Sequence, residues 1–235
     1  PARRRTSASP TAEDRTGRAG ILKRFVRLAG GRKAQIVIIP TASSFQDEVV
    51  SAYAEVFTRI GIAGWTVVNP GSRTEAGDPL AVETIDAATG IFMSGGSQLR
   101  LSQIFAGTPL GEAIHRAHRR GAVIGGTSAG ASIMSEFMIA LGDEGVTPRQ
   151  RTSQMSQGLG LLEGVVIDQH FAQRQRHGRL MSVIAMSPNL IGIGIDENTA
   201  LEVVDGVRAT VYGRGGVYIL DCRAAITDAP DARTG

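Results

Sequence analysis

The sequence predicts an α/β fold built on a doubly wound, mostly parallel sheet, and three observations carry the prediction. Short unbroken apolar runs recur along the chain: Gln35-Ile-Val-Ile-Ile39, Gly90-Ile-Phe-Met93, Ala122-Val-Ile124, Val165-Val-Ile-Asp168 and Ile191-Gly-Ile-Gly-Ile195. Runs of this kind, without polar alternation, read as strands buried on both faces, as in a parallel sheet. Segments with apolar residues at helical spacing lie between them, so strands and helices alternate. Finally, polar or Gly-rich motifs stand where strands end: Ser94-Gly95-Gly96, Gly126 to Gly130, Asp168-Gln169-His170 and Asp196-Glu197. Right-handed crossovers bring the C-terminal ends of parallel strands to one edge, where α/β proteins bind ligands.

Taken in order, residues 1–17 are rich in Arg, Ser, Thr, Ala and Gly without periodicity and are expected to form a disordered tail. A helix is expected from near Arg18, with Ile21, Leu22, Phe25, Val26 and Leu28 on its apolar face and Gly30-Gly31 ending it. The strand over 35–39 is stopped by Pro40. An amphipathic helix over 45–60 ends at Gly61, and strands follow at 65–68 and 90–93. Helices are expected over 99–105 and 111–120, then the strand at 122–124, a strand at 165–168, a helix over 174–185 and a strand at 191–195. The segments 200–204, 209–212 and 217–220 read as antiparallel strands. Residues 18–235 are expected to form one catalytic domain, the default for a chain of 235 residues.

Hydrophobic residues make up 42% of the chain, enough for a sizeable core. No apolar run is long enough to span a bilayer, and no apolar stretch follows the Arg-rich start as in a secretory signal. One cysteine, Cys222, excludes an internal disulfide and fits a reducing compartment, so a cytoplasmic location is expected. The net charge is +3, and its basic residues are Arg except for Lys23 and Lys33. Aromatic residues are 5% and no basic stripe alternates with them, which argues against a nucleic-acid surface.

The most informative stretch is Gly126-Thr127-Ser128-Ala129-Gly130, which fits the nucleophile-elbow pattern Gly-x-Ser-x-Gly. Small residues two positions either side let a serine occupy a sharp strand-to-helix turn with its hydroxyl exposed. A serine hydroxyl needs a base. Of four histidines, His170 stands at a strand end on the functional edge, whereas His115 and His118 fall on the helix before the elbow strand and His177 on a later polar helix. The base needs an acid, and Asp196 and Glu197 both stand at the end of the 191–195 strand. Side chains alternate along a strand, so one of the two can face His170, and the residues alone leave that choice open. The Ala129 N–H and the turn at Gly95-Gly96 are the candidate oxyanion donors. The order Ser128, His170, acid differs from that of α/β-hydrolases, where the acid precedes the histidine.

Together these residues resemble the serine peptidases of the cyanophycinase family, relatives of aspartyl dipeptidase (peptidase E). The matching blocks are Thr-Ala-Glu-Asp-Arg at 11–15, Ile-Ile-Pro-Thr-Ala-Ser at 38–43, Gly-Gly-Ser-Gln-Leu-Arg at 95–100 and Gly-Gly-Thr-Ser-Ala-Gly-Ala at 125–131. They continue with Gly-Leu-Gly-Leu-Leu at 158–162, Asp-Gln-His-Phe at 168–171, Arg174, Arg176, Arg179-Leu180 and Gly-Ile-Asp-Glu-Asn-Thr-Ala at 194–200. The resemblance implies a fold like class I glutamine amidotransferases, with serine replacing their cysteine. It implies a Ser128–His170–Glu197 triad, a homodimer, no cofactor and no metal, and hydrolysis of multi-L-arginyl-poly-L-aspartate to β-Asp-Arg dipeptides. That polymer repeats a guanidinium and a carboxylate. Asp168 is expected to accept the guanidinium, Arg174, Arg176 and Arg179 to hold carboxylates, and Gln98 and Gln169 to line the same cleft. Compared with the family, the first strand and the C-terminal end are expected to be missing. The alternatives are an aspartyl or isoaspartyl dipeptidase and a catalytically dead binding homologue.

Overall fold

A computed structural model describes residues 17–149 and 153–226. The tail expected over 1–17 falls, except for Gly17, outside the described residues. The chain opens with α1 (Gly17–Leu28), β1 (Gln35–Ile39), α2 (Gln46–Ile60) and β2 (Gly64–Val67). It continues with α3 (Pro79–Ala87), β3 (Gly90–Met93), α4 (Gln98–Phe105), α5 (Pro109–Arg119) and β4 (Val123–Gly126). After the short α6 (Ala129–Ser132) come β5 (Ser135–Gly142), β6 (Ser153–Gln157), β7 (Leu162–Gln169), α7 (His177–Met186) and β8 (Ile191–Ile195). The last elements are β9 (Thr199–Val204), β10 (Arg208–Gly213) and β11 (Val217–Asp221).

The fold is α/β, with parallel strands and additional antiparallel ones, as the alternation of runs predicts. The strands do not share one continuous ladder. β2-β1-β3-β4 form a wholly parallel sheet. β11-β8-β7-β5-β6 form a second sheet, parallel at β5–β7 and β7–β8 and antiparallel at both edges. β9 and β10 pair as an antiparallel hairpin. The division falls at β4, whose four residues end in Gly125-Gly126 and turn directly into α6, so the chain re-enters pairing through β5.

The first sheet is covered on both faces, and this is why its strands carry no polar alternation. Along β1, Val37 and Ile39 point into a cluster with Ile85 of α3, Leu101 and Phe105 of α4, and Leu110 and Ile114 of α5. Ile36 and Ile38 point the other way, against Leu22 and Phe25 of α1 and Tyr53 and Phe57 of α2. In the second sheet, Leu180, Val183 and Ile184 of α7 pack on Ile139 and Val166, and Phe171 joins them.

Three elements lie beyond the sequence reading. α3 is announced by Asp78, whose carboxylate caps the Leu80 N–H, and by Pro79 at its first turn. β5 holds the apolar run Phe137-Met-Ile-Ala-Leu141, while β6 carries only a weak local signal. Ser153-Gln-Met-Ser-Gln157 is strand only because β5 pairs with it.

An ion pair ties α1 to the terminal hairpin. Arg24 donates from Nε and Nη2 to the two oxygens of Glu202 on β9, each at 2.8 Å. The arginine's hydrogen bonds hold the Glu202 carboxyl below its ordinary pKa, against the opposing effect of burial. A lowered folded-state pKa adds stability above the unfolded glutamate value of about 4.3, and that stability is lost as pH falls through the folded value. Glu202→Gln is therefore expected to cost about 1 kcal/mol near neutral pH, or roughly 2–4 °C in Tm. Thermal melts of parent and variant are expected to converge only as pH falls below about 4.3 and on through the lower folded value. A constant difference down to that pH would show that the pair acts through shape alone.

Candidate active site

Ser128 stands where β4 turns into α6, with φ 53° and ψ −115°. A non-glycine residue at positive φ is strained, and such strain persists only where the surroundings hold it. Here they do. Gly130 packs so tightly that a Cβ would stand 2.2 Å from the Met93 carbonyl oxygen, and a Cβ at Gly126 would stand 2.2 Å from that of Gly130. The Gly130 N–H donates to the carbonyls of Ser94 and Thr127 at 3.1 and 3.0 Å, which locks the end of β3 against the elbow. A methyl on Gly95 would lie 3.1 Å from Ser128 Cβ and 3.7 Å from its Oγ, so the Gly95-Gly96 turn borders the hydroxyl. Ala129 opens α6, where the first N–H groups have no intrahelical acceptor.

His170 follows the last residue of β7, also at positive φ (51°). Its Nε2 lies 3.0 Å from Ser128 Oγ and its Nδ1 lies 2.7 Å from Glu197 Oε1. Asp196, the other candidate, is engaged elsewhere. Its Oδ1 accepts the Ala172 N–H at 3.0 Å and its Oδ2 the Gly216 N–H at 2.9 Å, so it ties the His170 turn to the entry of β11. Glu197 is steadied in turn by Gln173, whose Oε1 accepts the Glu197 N–H at 3.0 Å.

Beside Ser128 opens a cleft of about 420 Å³, lined by Gly96, Gln98, Gln169, Arg174, Arg176, Arg179 and residues 140–142 at the end of β5. Gln98 Nε2 donates to the Ile139 carbonyl at 2.8 Å. Arg176 Nη1 donates to the Gln169 carbonyl at 2.7 Å and to its Oε1 at 3.0 Å. Burial, and next the charge of Arg179, lower the pKa of the Arg176 guanidinium. The cleft is thus cationic and suits a carboxylate ligand.

The sequence profile of peptidase family S51 matches residues 7–211. The chain belongs to peptidase family S51. It is a serine peptidase and therefore a hydrolase. This S51 peptidase is 40% identical over 214 residues to a cyanophycinase of Geminocystis herdmanii, covering 91% of this chain and 79% of that one. It is 40% identical to a cyanophycinase of Synechococcus elongatus, covering 90% of this chain and 66% of the relative. A cyanophycinase of a Nostoc species is 38% identical, with 89% and 71% covered. The fold resembles the crystal structure of a peptidase from an acI-B1 actinobacterium, with a TM-score of 0.61 at 24% identity over 89% of this chain and 94% of that one. It also resembles a putative peptidase E protein of Listeria monocytogenes, with a TM-score of 0.50 at 17% identity over 80% and 90%.

In this S51 peptidase three expectations about the cleft need correction. Asp168 is 1% exposed and is not free to accept a substrate guanidinium. Arg179 takes both of its oxygens, with Nε donating to Oδ2 at 2.7 Å and Nη2 donating to Oδ1. The Gln169 N–H donates to Oδ1 as well. Asp168 therefore holds Arg179 in place, and Arg179, expected to hold a substrate carboxylate, is taken up by this pair and by the Gly142 carbonyl instead. The third correction concerns the helix expected over 174–185, which begins at His177. Residues 170–176 are an irregular turn, and that irregularity lets Arg174 and Arg176 both face the cleft, where helical spacing sets them on different sides.

The remaining histidines take no part in the site. His115 and His118 lie on α5, and His177 packs on the rings of Phe171 and Tyr218 at 4.5 and 5.4 Å. Among the described residues no group of three or more His, Cys, Asp or Glu is placed to hold a metal ion, and no helix is long and apolar enough to cross a membrane. Sequence reasoning missed Gln173, and it missed Glu144, which faces the cleft arginines from the loop after β5. Neither sits in a motif or periodic pattern that marks it.

Proposed function

We propose that this S51 peptidase is an exopeptidase that hydrolyses cyanophycin, multi-L-arginyl-poly-L-aspartate, to β-Asp-Arg dipeptides through Ser128, His170 and Glu197. The observation that carries the reading is the hydrogen-bonded chain from Glu197 through His170 to Ser128, opening onto an arginine-lined cleft. The cyanophycinase name of the relatives supports the substrate.

In this reading Ser128 Oγ attacks the scissile carbonyl while His170 Nε2 takes its proton. Glu197 accepts the His170 Nδ1–H, which sets the tautomer and stabilises the imidazolium that forms. The tetrahedral oxyanion is met by the Ala129 N–H and by the N–H groups at Gly95 and Gly96, each donor of this kind being worth roughly two to three powers of ten in rate. His170 then protonates the leaving amine, and a water activated by the same imidazole releases the acyl group. Arg174 and Arg176 hold a substrate carboxylate, Arg179 orders that wall through Asp168, and Gln98 and Gln169 complete it. A cytoplasmic location, which a free Cys222 suits, and a homodimer belong to the same reading.

The test is incubation of the purified protein with insoluble cyanophycin and identification of the products by mass. Release of β-Asp-Arg is expected. An untouched polymer, with cleavage of free isoaspartyl dipeptides, would replace the reading with that of a dipeptidase. Failure of a serine-reactive phosphonate to label Ser128 would mark a binding homologue without activity.

A further inference from the structure

With Asp168 consumed by Arg179, the cleft lacks the acid that a guanidinium-bearing substrate requires. We propose that Glu144 is that acid: a specificity residue on the loop after β5 that binds the arginyl side chain of the substrate. The inference rests on the polymer reading above.

Arg179 is neutralised by Asp168 in a buried pair. Arg176 also reaches Asp168 Oδ1 at 3.5 Å, and Arg174 and Arg176 face Glu144 at 3.9 and 3.7 Å, beyond hydrogen-bond length. Glu144 is about half exposed, so it is loosely held and cheaply moved. The backbone that carries it is firmly placed. The Gly145 N–H donates to the Gln175 carbonyl at 2.9 Å, and the Gly145 carbonyl accepts the Gly178 N–H at 2.9 Å. Arg179 Nη1 reaches the Gly142 carbonyl at 3.2 Å. The loop is therefore tied to the start of α7, and Glu144 stands at the mouth of the cleft next to a second hollow of about 160 Å³ that Asp143 also lines.

Arg174 and Arg176 form one cationic site, to which a substrate carboxylate binds in place of Glu144. Once it binds Arg174 and Arg176, Glu144 loses its partners and turns to the guanidinium of the same repeat. The two arginines then share the substrate carboxylate, and Glu144 holds the guanidinium. A substrate with the carboxylate and no guanidinium leaves Glu144 beside a second anion, so the arrangement also rejects the wrong ligand.

Short aspartate oligomers carrying β-linked arginine or its neutral isostere citrulline test this directly. The parent is expected to favour the arginine oligomer by roughly 10- to 100-fold in kcat/KM, the range of one charge-assisted contact. Glu144→Gln is expected to erase that preference by raising KM for the arginine oligomer at nearly constant kcat, with phosphonate labelling of Ser128 and Tm unchanged. An undiminished preference in Glu144→Gln overturns the assignment, and so does an equal loss on both oligomers. A parent that cleaves neither the oligomers nor the polymer overturns the polymer reading itself, and this inference with it.

Discussion

Ser128→Ala is expected to abolish hydrolysis of the polymer, with a fall in kcat of about a million-fold, because loss of the nucleophile disables the base and acid behind it as a unit. Folding is expected to be nearly unaffected. The change removes one hydroxyl at the border of the cleft and leaves the Cβ and the tight Gly126 and Gly130 contacts in place. A surface change of this kind stays within about 0.5 kcal/mol. Ser128→Gly sharpens the test. It removes the same nucleophile but relieves a non-glycine residue held at φ 53°, so it is expected to be equally inactive and more stable than Ser128→Ala by roughly 1 kcal/mol. Polymer assay and thermal melts on both variants decide the point. Turnover within a hundredfold of the parent in either variant would sink the serine mechanism.

The largest loss of stability is expected from Asp168→Ala. The carboxylate is buried and binds Arg179, itself 6% exposed, through both oxygens. Removing one member of a buried pair leaves an uncompensated charge and costs about 3–5 kcal/mol. For a domain of this size that is a drop of roughly 6–20 °C in Tm, and it is a large share of a typical folding free energy of about 5–15 kcal/mol. Polymer hydrolysis is expected to fall with it, since Arg179 holds the wall that presents Arg176. The outcome that would reverse this role is an unchanged Tm with polymer hydrolysis lost and phosphonate labelling retained. Asp168 would then touch substrate.

Much of the fold was legible because it is local. β1 and β3 are continuous apolar runs, and their two buried faces follow from that alone. The elbow was legible because a serine in strained backbone requires the glycines two positions away. α3 is marked by Asp78-Pro79, a helix-start signal written in the sequence. β6 was not legible, since Ser, Gln, Met, Ser and Gln have no strand preference that survives without the partner β5 supplies. The placement of Arg174 was also hidden, because periodicity treated residues 174–176 as helix and the chain there is a turn.

By itself, then, the sequence determined the α/β class, the buried strands, the strained serine and the presence of a histidine and two acids at strand ends. These depend on residue types a few positions apart. Only the tertiary structure decided which acid meets His170. Asp196 and Glu197 are neighbours, and the choice turns on where the Ala172 and Gly216 N–H groups stand to claim Asp196. Only the tertiary structure gave Asp168 to Arg179 and set Glu144 against Arg174 and Arg176. His170 meets Ser128 across 42 positions of chain and Glu197 across 27. Pairings of that kind are settled by distance and burial after the chain has folded, and charge or spacing along the sequence leaves several of them equally available.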